Sequence, residues 1–334
     1  MSSIDETKES KELSCFHNVL ELGIKKNNKT SEILQYLNGE VLKRKKNDRP
    51  DLICRCTKRV MPHVQTIVGI EHFQVNQLSQ EKGEKIVSTG AEYESHIAKV
   101  YKKGHAEIEE SGVISDENNE KLMHEVSGFV GEMLYSGYYS FLEAFKHHLT
   151  HHLEQVQDYR NNISIIANQN PIEMALLIDM RMIFPDLFLN QGERVTVVKN
   201  GLLPICEEVV LELEKIDKRL VNYVILYSSN ILEDAEDVIA LQTGNIREQL
   251  RDQKITVYEY VGEELSNNNF IDVNPSYCKE ENGDYTIMLQ INNPFELQNN
   301  CMKVAMQAAR AKKNGRPFVT TKRIQCFLKY MGIV

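Results

Sequence analysis

The chain has 334 residues, 42% of them hydrophobic and 26% charged, and carries a formal net charge of −9 at pH 7. That balance is ordinary for a folded protein and excludes a disordered tail, a fibre and a surface coated throughout with phosphate-binding cations. The opening "MSSIDETKESKELS" is charged where a secretory leader carries an apolar core, and no apolar run approaches the roughly 18 residues of a membrane span, so a cytoplasmic protein with no membrane partner is expected.

In chain order, "ELSCFHNVLELGIKKNNKTSEILQYLNGEVLKRKK" reads as two helices split by a polar turn, with Thr30 or Ser31 as N-cap of the second. Residues 51–57 and 64–75, rich in Val and Ile and bounded by Pro50 and Pro62, read as strands. Residues 92–165 turn helical and polar, a long helical insertion. Strand signals return at 173–182, 193–200 and 222–229, and the helical spacing of "LLPICEEVVLELEKI" between the last two predicts a parallel pair. A helix over "AEDVIALQTGNIREQLRD", a strand at "KITVYEYV" and a hairpin turning at Asn282-Gly283-Asp284 follow. After Glu296 there is no acid and there are eight Lys or Arg residues, so 297–334 is expected to be a basic helical tail. With no internal repeat and no low-complexity linker, residues 1–334 form one α/β domain, a mixed sheet flanked by helices.

Chemistry-bearing motifs are sparse. Neither GxxxxGK[ST], GxGxxG nor GxSxG occurs, which removes the simplest ATPase, dinucleotide and serine-hydrolase readings. The seven cysteines are odd in number and lack a CxxC pair, as reduced thiols would be. Cys54 and Cys56 share one face of a strand, but no second pair completes a zinc site there.

Two acids stand out, Asp51 at the head of one apolar run and Glu71 inside the next. A turn centred on Met61 sets residue i opposite residue 122 − i, and so Asp51 opposite Glu71. Opposed residues have Cβ atoms about 5 Å apart, within reach of one divalent ion, whereas a slip of one residue would send them to opposite faces. Two like charges on a central strand repel unless a cation compensates, and oxygen ligands suit Mg²⁺ or Mn²⁺. The ordinary alternative is a turn-forming Asp51 and a Glu71 paired with a lysine or arginine elsewhere.

Pro50-Asp51, followed some twenty residues later by an acid on an apolar strand, resembles the PD-(D/E)XK nuclease superfamily. The resemblance implies a restriction-endonuclease-like core and Mg²⁺-dependent hydrolysis of DNA phosphodiesters. Carried over, Asp51 and Glu71 are catalytic metal ligands, and the carbonyl of His72 is a backbone ligand. The motif lysine is missing: Phe73 stands in its place, and Lys82 or Lys85 is the substitute expected to reach back, with Lys82 preferred. The basic run "KRKKNDR" suits a phosphate backbone through Lys45, Lys46 and Arg49, and Arg181 could meet the same phosphates. Arg181 also shares a strand face with Asp179, and their pairing is the simpler account. Glu12 or Glu21 on the first helix could add a metal ligand.

All ten histidines precede residue 153, four of them in "HHLTHHLE". On a helix His147 with His151 and His148 with His152 are i, i+4 pairs, a zinc-sharing spacing, although HExxH is absent and an exposed polar face explains the cluster without metal. The leading expectation is a Mg²⁺-dependent nuclease or a degenerate relative. A non-catalytic nucleic-acid-binding or scaffold protein of the same fold, and a zinc-dependent hydrolase using the histidine helix, are the alternatives.

Overall fold

A computed structural model describes residues 3–42, 49–58, 61–76, 79–82, 85–111, 115–181, 187–191, 194–198, 205–230, 235–260, 273–279, 285–291 and 316–320. The chain runs α1 (Ser3–Ile24), α2 (Lys29–Leu37), β1 (Glu40–Val41), β2 (Leu52–Lys58), β3 (Met61–Asn76), β4 (Ser79–Lys82), β5 (Lys85–Ser88), α3 (Thr89–Ser111) and α4 (Asp116–Ala167). It continues through β6 (Ile172–Arg181), β7 (Leu187–Gln191), β8 (Arg194–Val198), β9 (Ile205–Cys206), α5 (Glu207–Glu214), β10 (Tyr223–Asn230) and β11 (Ala235–Gln242). The last described elements are α6 (Ile246–Asp252), β12 (Val257–Tyr260), β13 (Val273–Lys279), β14 (Tyr285–Ile291) and β15 (Arg316–Thr320).

The main sheet has the order β1-β2-β3-β6-β10-β11, with β2–β3 and β10–β11 antiparallel and β3–β6 and β6–β10 parallel. It is a mixed sheet with helices on both faces. Its central strands read as continuous apolar runs because each face is covered. Val68 and Ile70 of β3 join Phe16, Val19 and Leu20 of α1 and Leu34 and Leu37 of α2. Ile67, Phe73 and Val75 point the other way, into a core built with Phe145, Leu149, Val156 and Ile163 of α4 and Val209 and Leu213 of α5. Burial of each Leu, Ile or Phe side chain contributes about 1.5–3 kcal/mol, so the two layers supply the main driving force.

Gly69 lets α4 approach the sheet closely. A Cβ there would sit 2.8 Å from both Met174 Sδ and Pro50 Cγ and collide with Ile163. Helix α2 is capped by Asn28, whose side chain accepts from Ser31 N at 3.3 Å, rather than by Thr30 or Ser31. Among the described residues no helix is long and apolar enough to cross a membrane.

Several expectations change. "ERVTVV" becomes β8 in a separate sheet of order β8-β7-β12-β9, so the parallel partner of β10 is β6. Residues 235–242, expected to open a helix, form β11 along β10, because the edge of β10 offers a full ladder of hydrogen bonds that local helical spacing cannot match. The helical insertion expected over 92–165 spans α3 and α4 and is no free excursion, since α4 packs on β3 and β6. Within the tail 297–334 the described residues form a strand, β15, paired with β14; the rest of the tail lies outside the described residues. The hairpin of β13 and β14 is present, with its turn outside them.

Candidate functional site

The register that joins the two acids is the expected one. Leu52 lies opposite Ile70, Ile53 opposite Gly69 and Thr57 opposite Gln65, which puts Asp51 and Glu71 at the next position. The turn is not symmetric about Met61: a shift between Thr57 and Lys58 brings Lys58 opposite Met61, and this irregularity absorbs the difference without moving the paired residues.

Both acids are buried, with Asp51 at 2% and Glu71 at 0% exposure. Arg49 Nη1 sits between them, 2.8 Å from Asp51 Oδ1 and 2.6 Å from Glu71 Oε1. Burial works against the charged guanidinium, but the charges of Glu71 and Asp51 outweigh it and hold its pKa above the ordinary arginine value. Asp51 Oδ2 accepts the His72 backbone N–H at 2.9 Å, which fixes the carboxylate against β3. Glu71 Oε2 is buried with no hydrogen-bond partner. One positive charge thus faces two carboxylates, and one acceptor oxygen has no donor, an arrangement that costs free energy unless a further cation is supplied.

Helix α4 closes the site. His152 Nδ1 lies 3.2 Å from Glu71 Oε1, and its ring stacks on Phe73 with centroids 4.2 Å apart and planes 10° from parallel. The imidazole edge thus lies within ion-pair distance of the carboxylate. Tyr159, one face-repeat further along α4, donates to Gln155 Oε1 at 2.6 Å and lies 3.3 Å from His152 Nδ1. Burial, then the charge of Glu71 and the hydroxyl's hydrogen-bonding approach to that carboxylate, pushes Tyr159 above its ordinary range, although the geometry leaves Glu71 Oε2 itself without a hydrogen bond. Asn162 Nδ2 donates to the Arg49 carbonyl at 3.0 Å, tying the loop before Asp51 to the same helix.

The other expected residues are distributed as follows. Arg49, expected to meet phosphate, instead clamps the acids. Lys45 and Lys46 lie outside the described residues, Lys82 ends β4, and Arg181 ends β6, with the side chains of both outside the description. Glu12 is buried on α1, and its charge acts on Arg49, whereas Glu21 is exposed and pairs with Lys25 at 2.9 Å. On the histidine helix, His151 Nε2 meets Gln155 Nε2 at 2.9 Å and His152 turns to Glu71. His148 is half-buried, and desolvation, then the neighbouring histidines, pushes its pKa down to about 4. Among the described residues the group able to offer three metal ligands is Cys15, His72 and Asp179, away from that helix.

Sequence reasoning did not place His152 or Tyr159 at the acids. The signal was present in the i, i+7 spacing of the two on α4, but which helix face meets β3 is a tertiary fact. No family model, no curated protein and no solved structure matches this chain.

Proposed function

We propose that the chain is a Mg²⁺- or Mn²⁺-dependent nuclease of the PD-(D/E)XK kind, with a restriction-endonuclease-like core, acting on DNA phosphodiesters. The observation that carries the reading is the buried pair Asp51 and Glu71, joined across β2 and β3, with Glu71 Oε2 lacking a donor. The donor set fits a hard divalent cation: two carboxylates and, on the same strand, the His72 carbonyl. Such a cation would neutralise phosphate charge and activate water.

The protein's own groups prepare that pocket. His72 N–H orients Asp51, and His152 with Arg49 lies against Glu71 Oε1, which leaves Oε2 without a donor. The Arg49 side chain is 41% exposed, so it can leave the acids for solvent or for a phosphate oxygen when a metal takes its place. At the position of the missing lysine, Phe73 serves as the platform on which His152 is stacked. In this reading His152 is the nitrogen donor beside the acids, and Lys82 is a second source of positive charge.

The test is incubation of wild-type protein and an Asp51→Ala, Glu71→Ala double variant with plasmid, linear and single-stranded DNA and with RNA, in Mg²⁺ or Mn²⁺, with and without EDTA. DNA cleavage abolished by EDTA and reduced by about 10³-fold in the variant is expected, the loss of several kcal/mol of charge stabilisation. Metal-independent cleavage, or cleavage unchanged in the variant, contradicts the proposal. A second reading, a non-catalytic nucleic-acid-binding protein of the same fold, is favoured by Phe73 and by the Arg49 clamp. It predicts DNA binding without cleavage, unaltered by the double substitution.

A further inference from the structure

The pleat of β3 sends Glu71 and His72 to opposite faces, and the α1 side of the sheet holds its own cluster. Cys15 of α1, His72 of β3 and Asp179 of β6 each offer one ligand atom, and these atoms all lie within 4.8 Å of one another. The His72 side chain is 9% exposed and that of Asp179 1%, with Nε2 of His72 3.7 Å from Asp179 Oδ2. His72 Nε2 is buried and has no hydrogen-bond partner. A ring nitrogen enclosed in this way costs free energy unless something completes it.

We infer that Cys15, His72 and Asp179 form a binding site for zinc, or a transition metal of similar preference, separate from the acid pair on the other face. A soft thiolate and a borderline imidazole beside one carboxylate favour zinc over Mg²⁺ or Ca²⁺. Their three chain positions are far apart, so the ion would tie α1 to β3 and β6 of the main sheet. Gln74 Nε2 donates to Asp179 Oδ2 at 3.3 Å and serves as the outer partner that orients the carboxylate. Three protein ligands leave a fourth position for water or a small anion. The site needs nothing from the nuclease reading, and its residues were separated in the sequence by 57 and 107 positions, which hid it from any spacing motif.

The test uses the full chain with His147, His148 and His151 changed to Gln, which removes three of the four clustered helix histidines as competing ligands. The protein is freed of metal and titrated with cobalt(II) alone and with zinc alone. One equivalent of cobalt, beyond any taken by Asp51 and Glu71, should bind with a thiolate-to-metal charge-transfer absorption that zinc displaces. That absorption should vanish in Cys15→Ser, and zinc affinity should fall by at least ~100-fold in His72→Gln and by about 10–100-fold in Gln74→Ala, with circular dichroism showing each variant folded. Cobalt binding without a thiolate band, or a band that survives Cys15→Ser, overturns the inference. So does the absence of a thiolate band when the unsubstituted chain is titrated with cobalt, which requires no variant to fold.

Discussion

The two faces of β3 handle buried polar groups differently. On the α4 face, two carboxylates share the Arg49 guanidinium at 2.8 and 2.6 Å, and one oxygen of Glu71 has no donor. On the α1 face, a carboxylate, an imidazole and a thiol converge, and it is a nitrogen, His72 Nε2, that has no hydrogen-bond partner. Adjacent residues of one strand thus serve a pair of carboxylates on one side and a mixed thiol, imidazole and carboxylate cluster on the other. The lesson is that a period of two can carry two unrelated sites through a dipeptide, each completed by a different helix.

The largest expected effect comes from removing the cation on the α4 face. Arg49→Ala leaves two buried carboxylates uncompensated, and in EDTA unfolding should cost about 3–5 kcal/mol less by urea denaturation. Millimolar Mg²⁺ should restore much of that loss, and a variant as stable as wild type in EDTA would show that the acids are not held as charges. Gly69→Ala comes next. With Pro50, Met174 and Ile163 in the way of a Cβ, a loss of about 1–3 kcal/mol and a weakened His152 contact are expected, readable as a lowered Tm.

A smaller effect comes from His148 of the histidine cluster. His148 has its pKa lowered from 6.5 to about 4, so the unfolded chain takes up the proton first as pH falls. Its neutral form contributes stability that is complete above pH 6.5 and is lost between about 6.5 and 4, on the order of 1 kcal/mol once solvent screening is allowed for. His148→Gln should flatten the stability profile in that window and leave it unchanged above pH 7. The smallest signal concerns thiols. Burial pushes Cys54 up to about 11 and Cys56 up to about 12, so at pH 8 neither should react with an alkylating agent in the folded chain, and rapid labelling of both would contradict their place in the α1-side core.

The acid pair was legible in the sequence because it rests on local facts. A short antiparallel connection and two apolar runs fix the register of 51–58 against 61–71, and the irregularity at Thr57 and Lys58 did not disturb it. Long-range placement was not legible in the same way. "AEDVIALQ" has helical spacing yet pairs with β10, and the partner of β10 turned out to be β6 rather than the preceding β8. His152 reaches Glu71 across 81 positions, and Arg49 turns inward from a run that reads as a solvent-facing basic patch. Those contacts depend on how α4 and the loop before Asp51 settle on the sheet, which no periodicity encodes.

The central claim is that Asp51 and Glu71 receive a divalent cation, and the most direct measurement is Mn²⁺ binding followed by electron paramagnetic resonance in wild-type protein and in an Asp51→Asn, Glu71→Gln variant. The account predicts one site in the wild type that disappears in the variant while the fold is retained. Equal Mn²⁺ binding by both proteins, or none by either, would contradict it.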